Sequence, residues 1–376
     1  SEAEIDPELL ELTISVKQGI SAGVKTIPVT FFDQFQNEYT ANTSVTVTDR
    51  NKGGDFDWDE AVIYFAVTDR FFDGNSSNLT FLFRIHGDNV VLKNMNFINW
   101  ELYNSYDIIE WIGNSGLLED CRFINNTGIS GGTVDWTGIS GLMSGCEFIN
   151  NTADNGGAVY WYGEDGHISD STFYNNTAYE AGGALYVYGR NFTLSYSNFE
   201  LNTADVGGAI YWENDRGLIY ETQFINNTAD TAGALYLLIG PFNVMESTFI
   251  NNTAHGHAGA IDIVGGFKNE SGIIHYLVAN NTTIEHSKFL DNLAMDYAGG
   301  VHVNGTNTLI DNCTFKRNNA SFAGAVRLIG ENSTVRNSSF VDNNAIQGGA
   351  CYIEGENARI LLSTFDNNHA THDVPD

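Results

Sequence analysis

The sequence predicts an all-β protein, a right-handed parallel β-helix of about 11 coils with about 25 residues in each coil. Three observations lead to this fold class. A phenylalanine returns at a nearly constant spacing, apolar residues alternate at a spacing of two, and one residue type recurs at one position of successive repeats. Residues two apart share a face of a β-strand, whereas an amphipathic helix needs spacings of three and four.

The repeat is anchored on one phenylalanine per unit. Successive anchors are 25 or 26 residues apart, except for one step of 40 residues. That step is one ordinary repeat plus an insertion at about 265–280, and because the period survives it, we expect the insertion to loop out. The anchors are Phe97, Phe123, Phe148, Phe173, Phe199, Phe224, Phe249, Phe289, Phe315, Phe340 and Phe365.

Each repeat reads as three short strands separated by turns. From Phe123 onward, a Cys, Ser or Thr stands two residues before the phenylalanine, so both side chains are expected to point inward. A Gly-Gly-Ala turn such as 182–184 then leads into a second alternating strand. In that strand Leu185 would face inward and Tyr186 outward.

An asparagine follows three residues after the phenylalanine in ten successive repeats. Asparagine tolerates the left-handed backbone of a tight turn, and stacked amides can hydrogen-bond one another and the carbonyls of the turn. We therefore predict an internal structural ladder. Its members are Asn126, Asn151, Asn176, Asn202, Asn227, Asn252, Asn292, Asn318, Asn343 and Asn368.

The pairing of an FxxN motif with GGA and an aliphatic residue, as in FYNN (173–176) with GGAL (182–185), resembles a known repeat. It looks like the repeat of chlamydial polymorphic membrane proteins and of the adhesin-like surface proteins of methanogenic archaea. The resemblance covers about residues 85–370. It implies a parallel β-helix displayed at the cell surface of an archaeon or a bacterium, with a role in attachment.

The repeat divides the chain into two predicted domains. Residues 1–80 do not follow it and are expected to form an N-terminal capping element or a small β domain, with IDPELLEL (5–12) as a candidate short helix. Residues 81–376 form the predicted β-helix domain.

Composition excludes several classes of partner. The 376 residues include 47 acidic and 17 basic side chains, for a net charge of −30, which disfavours nucleic acid. No apolar run is long enough for a transmembrane segment. Cys121 and Cys146 occupy one position of adjacent coils, where a disulfide is sterically feasible, but serine shares that position, so we expect two buried thiols.

The outward position of the second strand carries four tyrosines in adjacent coils, Tyr160, Tyr186, Tyr211 and Tyr236. Exposed aromatic rings with polar edges suit sugars and protein partners, so this strip is the predicted binding face. Stacked tyrosines also stabilise a sheet on their own, and that alternative stays open.

The same row continues with Asp262, His302 and Arg327, near His255 and His257. An acid, an imidazole and a guanidinium in one row would suit a polysaccharide lyase or hydrolase. No second carboxylate stands at a partner spacing, so we expect a solvated charge cluster and no catalytic residues. Two histidines on one turn do not by themselves make a metal site.

The segment DFDWDE (55–60) is a candidate Ca²⁺ site. Asp55, Asp57, Asp59 and Glu60 begin as an EF-hand loop does, but Ala66 stands where the bidentate glutamate belongs. The sequence therefore predicts no cofactor other than Ca²⁺ at this segment.

Five glycosylation motifs fall in one frame, each one residue before a ladder asparagine. Adjacent residues alternate between faces, so these side chains would point outward and would carry glycans on an exported chain. The motifs begin at Asn125, Asn150, Asn175, Asn226 and Asn251.

Taken together, these features predict an extracellular cell-surface protein that mediates attachment through the periodic faces of a β-helix. Its partners would be cell-surface glycans or proteins. One alternative is a self-assembling subunit of a filament, sheath or coat, joined end to end, whose partners are copies of itself. The second alternative is a polysaccharide lyase or hydrolase.

Overall fold

The computed structural model describes residues 2–6, 11–15, 23–32, 38–47, 62–63, 81–101, 107–129, 131–214, 216–265, 267–270, 273–276 and 279–371. All regular structure within these ranges is β, and they contain no helix able to span a membrane. From residue 81 the chain winds into a right-handed parallel solenoid of about 11 turns with about 25 residues per turn. The predicted fold class is confirmed.

Successive coils build four parallel sheets that run along the solenoid. We name them, in the order in which a coil visits them, the aliphatic, phenylalanine, alanine and tyrosine sheets. The expectation of three strands per coil is wrong for most coils. The fourth strand, as in Thr177–Ala181, begins directly after the ladder asparagine, because a Thr-Ala pair there continues in extended conformation.

The aliphatic sheet contains Val62–Ile63, Val91–Lys93, Leu117–Glu119, Leu142–Ser144, His167–Ser169, Thr193–Ser195, Gly217–Tyr220, Phe242–Met245, Thr283–Glu285, Leu309–Asp311, Thr334–Arg336 and Arg359–Leu361. The phenylalanine sheet contains Asn96–Ile98, Arg122–Ile124, Glu147–Ile149, Thr172–Tyr174, Asn198–Glu200, Gln223–Ile225, Thr248–Ile250, Lys288–Leu290, Thr314–Lys316, Ser339–Val341 and Thr364–Asp366.

The alanine sheet contains Thr152–Asn155, Thr177–Ala181, Thr203–Val206, Thr228–Thr231, Thr253–Ala254, Leu293–Ala294, Asn319–Phe322, Asn344–Gln347 and His369–Ala370. The tyrosine sheet contains Phe81–Ile85, Asp107–Trp111, Val134–Trp136, Val159–Trp161, Leu185–Val187, Ile210–Glu213, Leu235–Leu238, Ile261–Val264, Val301–Thr306, Val326–Ile329 and Cys351–Glu354, and Ala279–Asn280 pairs with Val301–Thr306.

Two antiparallel hairpins precede the solenoid. Glu2–Asp6 pairs with Glu11–Ser15, and Gly23–Phe32 pairs with Glu38–Val47. The candidate helix at 5–12 is therefore wrong, since both of its ends are paired strands. In this hairpin Ile5 lies opposite Leu12.

A third hairpin interrupts the solenoid at the long step of the repeat. Phe267–Glu270 pairs antiparallel with Ile273–Tyr276. The aliphatic strand that follows, Thr283–Glu285, still pairs directly with Phe242–Met245 of the preceding coil. The coil on each side of the hairpin therefore keeps its register.

A continuous column of phenylalanine rings forms the centre of the core. Neighbouring rings are stacked, and their centroids are 4.4 Å apart at Phe173 and Phe199 and 5.2 Å apart at Phe199 and Phe224. The column continues past the inserted hairpin, because Phe249 and Phe289 are 4.8 Å apart. Each ring is thus supported by the next coil, as the recurrence of phenylalanine predicted.

A second column fills its space in two complementary ways. Trp111, Trp136 and Trp161 stack, and each faces a glycine at the start of the following strand. A Cβ atom on Gly166 would lie 2.4 Å from the Trp161 indole nitrogen. One coil later the smaller Val187 replaces tryptophan, and Phe192 occupies the glycine position, packing edge-on against Trp161. The volume is conserved although the residues are not.

The small inward position forms a polar ladder. The Ser171 hydroxyl donates to the Ser169 carbonyl at 2.8 Å and accepts the Cys146 N–H at 3.1 Å. Cys121 and Cys146 are buried free thiols in the same column. Each hydroxyl therefore satisfies a backbone donor of the preceding coil.

The asparagine ladder is buried, and its amides form a chain of hydrogen bonds. The Asn176 Nδ2 group donates to the Phe148 carbonyl and to Asn202 Oδ1, both at 3.0 Å. Asn176 Oδ1 accepts from the backbone and side-chain nitrogens of Asn151, both at 3.0 Å. The Asn176 side chain therefore hydrogen-bonds backbone and side-chain groups of the two neighbouring coils, and these groups need no water as a partner.

We predict that Asn176→Asp strongly destabilises the solenoid, whereas Asn175→Asp does not. A carboxylate at 176 cannot donate to Phe148 or to Asn202, and each buried group left unpaired costs about 1–3 kcal/mol. Asn175 is exposed, and it takes the left-handed backbone of the turn, with φ 53°, whereas the ladder residue Asn176 does not, contrary to the expectation from sequence. Thermal unfolding of the two variants should differ by several degrees, and equal midpoints would contradict the assigned role of the ladder.

Candidate functional site

One row of side chains on the outer face of the tyrosine sheet contains most of the candidate functional residues, and we call it the outer row. Strand register places each member directly beside the next. The outer row is Glu110, Asp135, Tyr160, Tyr186, Tyr211, Tyr236, Asp262, His302, Arg327 and Tyr352.

The four tyrosines in the middle of the row form a stack. Ring centroids are 4.7 Å apart for Tyr160 and Tyr186, 4.6 Å for Tyr186 and Tyr211, and 5.3 Å for Tyr211 and Tyr236. All four side chains are half-buried, since each ring covers the face of its neighbour. The stack presents ring edges and hydroxyls to solvent more than ring faces.

The phenols of the stack are held in their protonated form. Burial, with a further contribution from the charge of Asp135, raises the pKa of Tyr160 to about 12. Burial, together with the charge of Asp262, also raises the pKa of Tyr236 to about 12. The Tyr186 hydroxyl donates to Glu213 at 3.4 Å. At neutral pH the strip therefore offers hydroxyl donors rather than phenolates.

A second pair of tyrosines lies beside the stack. Tyr162 and Tyr188 come two residues after Tyr160 and Tyr186, and their rings stack at 4.6 Å. Tyr162 is 49% exposed, more than the members of the main stack. The aromatic surface is therefore two residues wide at these coils.

The prediction of a solvated cluster at Asp262, His302 and Arg327 is wrong. Asp262 is 1% exposed and His302 is 5% exposed. His302 Nδ1 lies 2.8 Å from Asp262 Oδ1, and Arg327 Nη1 lies 2.9 Å from His302 Nε2. The three side chains form a linear chain of charge-assisted hydrogen bonds.

Large side chains from the preceding turn cover this part of the row. The position that holds Ala181, Val206 and Thr231 in earlier coils holds His257, Tyr297 and Phe322 here. The His257 ring is 6.0 Å from His302, and the Arg327 guanidinium lies over the Tyr297 ring at 4.3 Å. This change from small to large residues at one repeat position is visible in the sequence and is a signal for burial of the row.

The other end of the row is acidic. Asp107 is 3% exposed, and its Oδ1 atom has no hydrogen-bond partner among the described residues. Burial, reinforced by the charges of Asp135 and Glu110, raises the pKa of Asp107 to about 9. Burial and the charge of Glu110 raise the pKa of Asp135 to about 7. The sequence pattern gave no indication of Asp107, because its coil lacks the Gly-Gly-Ala turn of the later coils.

The remaining predicted sites lie elsewhere. Asp55, Asp57, Asp59 and Glu60 fall outside the described residues. The glycosylation-motif asparagines Asn125, Asn150, Asn175 and Asn251 are exposed, and Asn226 is half-buried. Outside the buried ladder, hydrogen bonds link Asn125, Asn150 and Asn175 in one run and Asn226 and Asn251 in another, with Leu201 at the same position in the coil between them. The Asn175 Nδ2 group, for example, donates to Asn150 Oδ1 at 2.8 Å.

Comparison with protein families matches two parts of the chain. Residues 271–372 match the family described as right handed beta helix region. Residues 145–160 and 170–188 match the Chlamydia polymorphic membrane protein repeat. Comparison with curated proteins and with solved structures found no match. The class defined by fold and repeats is therefore a parallel β-helix with polymorphic-membrane-protein-type repeats.

The raised pKa values of Asp107 and Asp135 predict that the free energy of unfolding falls as pH rises. Their folded-state pKa values are raised, to about 9 and about 7, above the unfolded value of about 3.9, so the folded state holds protons that the unfolded chain has lost. Stability is therefore highest near pH 4 and is lost, by at most about 1.4 kcal/mol per pH unit for each group, as pH rises through the folded pKa values.

Asp107→Asn should accordingly raise the unfolding midpoint at pH 8 and leave it nearly unchanged at pH 4. Asp205→Asn, at an exposed position, serves as the control with the same change of charge. Thermal unfolding from pH 4 to pH 9 measures both. A lower midpoint for Asp107→Asn at pH 8 would show that the Asp107 carboxylate is paired and stabilising.

Proposed function

We propose that this chain is a non-enzymatic cell-surface protein that attaches to surface glycans or proteins through the tyrosine strip of its outer row. The observation that carries the proposal is the uninterrupted stack from Tyr160 to Tyr236, flanked by Tyr162 and Tyr188. The match to the Chlamydia polymorphic membrane protein repeat supports a location at the outer membrane or cell surface.

The geometry suits an extended ligand. Adjacent coils present the same hydroxyl and ring edge at intervals of about 4.8 Å, so a polymer lying along the solenoid would meet equivalent contacts at each step. Hydroxyl donors and aromatic edges are the groups that recognise sugars and polar protein surfaces. When a ligand makes several of these equivalent contacts at once, its overall affinity is high even though each single contact is weak.

The contacts of His302 make a polysaccharide lyase or hydrolase the less favoured function. His302 is buried, and its two ring nitrogens face Asp262 and Arg327. A general base must reach the proton that it abstracts, and this imidazole has no free nitrogen toward solvent. End-to-end self-assembly and glycans on the glycosylation-motif asparagines stay predictions.

Replacing Tyr186 and Tyr211 together with serine should weaken attachment about tenfold. Each aromatic contact contributes about 0.5–1.5 kcal/mol, and 1.4 kcal/mol corresponds to a factor of ten in affinity. Tyr179→Ser is the matched control, because Tyr179 is 63% exposed and lies on the alanine sheet. Binding to immobilised cells and to a glycan array gives the affinities, and circular dichroism verifies the fold.

The same experiment separates the alternatives. Unchanged attachment by the double variant would contradict a contact role for the strip. Light scattering that shows regular polymers would favour a self-assembling subunit, and release of sugar products from polysaccharides would favour the enzyme.

A further inference from the structure

Three potential metal ligands meet where the tyrosine stack ends. Asp262 follows Tyr236 in the outer row, and His302 follows Asp262 in the next coil. His257 reaches the same place from the turn before Asp262. One ligand atom from each of the three side chains lies within 4.8 Å of the others.

The donor set and its setting are typical of a transition-metal site. Two imidazoles and a carboxylate suit Zn²⁺ and its first-row neighbours rather than Ca²⁺ or Mg²⁺. Asp262 and His302 are almost fully buried and are fixed by strands, whereas His257 is half-buried. His257 is therefore the ligand of the three that is most accessible to solvent.

We propose that His257, Asp262 and His302 bind one divalent transition-metal ion of the Zn²⁺ type. Ligand atoms on one such ion lie about 3.3 Å apart, given bond lengths of about 2.0–2.2 Å. The distance of 2.8 Å between His302 Nδ1 and Asp262 Oδ1 needs to widen only slightly. Three protein ligands leave a fourth position for water or a partner's side chain.

Arg327 opposes ion binding in the present arrangement. A guanidinium only donates, so its contact with His302 Nε2 places the imidazole proton on Nδ1, where it is donated to Asp262. An ion on Nδ1 moves that proton to Nε2, which then faces the Arg327 donor. Arg327 would retain contacts after releasing His302, since its guanidinium also lies 4.3 Å from the Tyr297 ring centroid and 5.7 Å from that of Tyr352.

This competition makes Arg327→Gln a variant that should gain affinity. The glutamine carbonyl can accept the Nε2–H that arginine cannot accept, and the change removes a positive charge beside the ion. A tighter single site in a variant whose circular dichroism is unchanged is not explained by misfolding. His257→Ala removes the half-buried ligand and should weaken binding at least about tenfold.

Isothermal titration of the tag-free chain with Zn²⁺, and visible absorption with Co²⁺, test the proposal. We expect one saturable site that tightens in Arg327→Gln and weakens in His257→Ala. His255→Ala is the control, because it removes an exposed histidine two residues away that pairs with Asp230. The proposal is overturned if neither wild type nor Arg327→Gln shows saturable binding, or if His255→Ala and His257→Ala weaken binding equally. In either case the cluster is a structural ion-pair network.

Discussion

Stacking of like upon like in successive coils is the constraint on which the rest of the structure depends. A single coil of about 25 residues leaves backbone hydrogen-bonding groups unpaired at both of its edges, and it cannot bury its own apolar face. The next coil provides the hydrogen-bond partners and covers the apolar face only if its turns and side chains align with those of the first coil. The asparagine ladder enforces that coincidence, because each buried amide pairs with the turn carbonyl of one coil and the amide of another.

The same constraint explains where chemistry can arise on this scaffold. Where a column holds identical residues, as in the tyrosine stack, neighbours satisfy one another and the surface is repetitive. Where a column changes residue from coil to coil, as at Asp262, His302 and Arg327, unlike groups are brought into contact without any loop. In a β-helix, a local site therefore forms where successive coils carry different residues in one column. The outer row contains a column segment of identical tyrosines next to such a segment of differing residues.

The sequence was sufficient to predict the solenoid because the columns are visible as residue periodicity. The phenylalanine and asparagine positions recur at 25 or 26 residues, and their burial follows from spacing alone. The fourth strand was not predicted, because a Thr-Ala pair is too short to show the alternation of a strand. The burial of Asp262 and His302 was not predicted, because it involves His257 and Tyr297. The His257 ring lies near His302 of the next coil, and the Tyr297 ring lies near His302 of its own coil.

Distances between spin labels placed in one column test the stacking of coils most directly. Tyr174, Lys316 and Asp366 belong to the outward column of the phenylalanine sheet, and labels at cysteines introduced there, with Cys351→Ser in the background, report the rise per coil. Tyr174 and Lys316 are five coils apart and should lie about 24 Å apart, and Tyr174 and Asp366, seven coils apart, about 34 Å. Narrow distributions at these values, unaffected by the inserted hairpin between them, are the predicted result. Broad distributions, or distances that do not grow in proportion to the number of coils, would contradict the stacked solenoid.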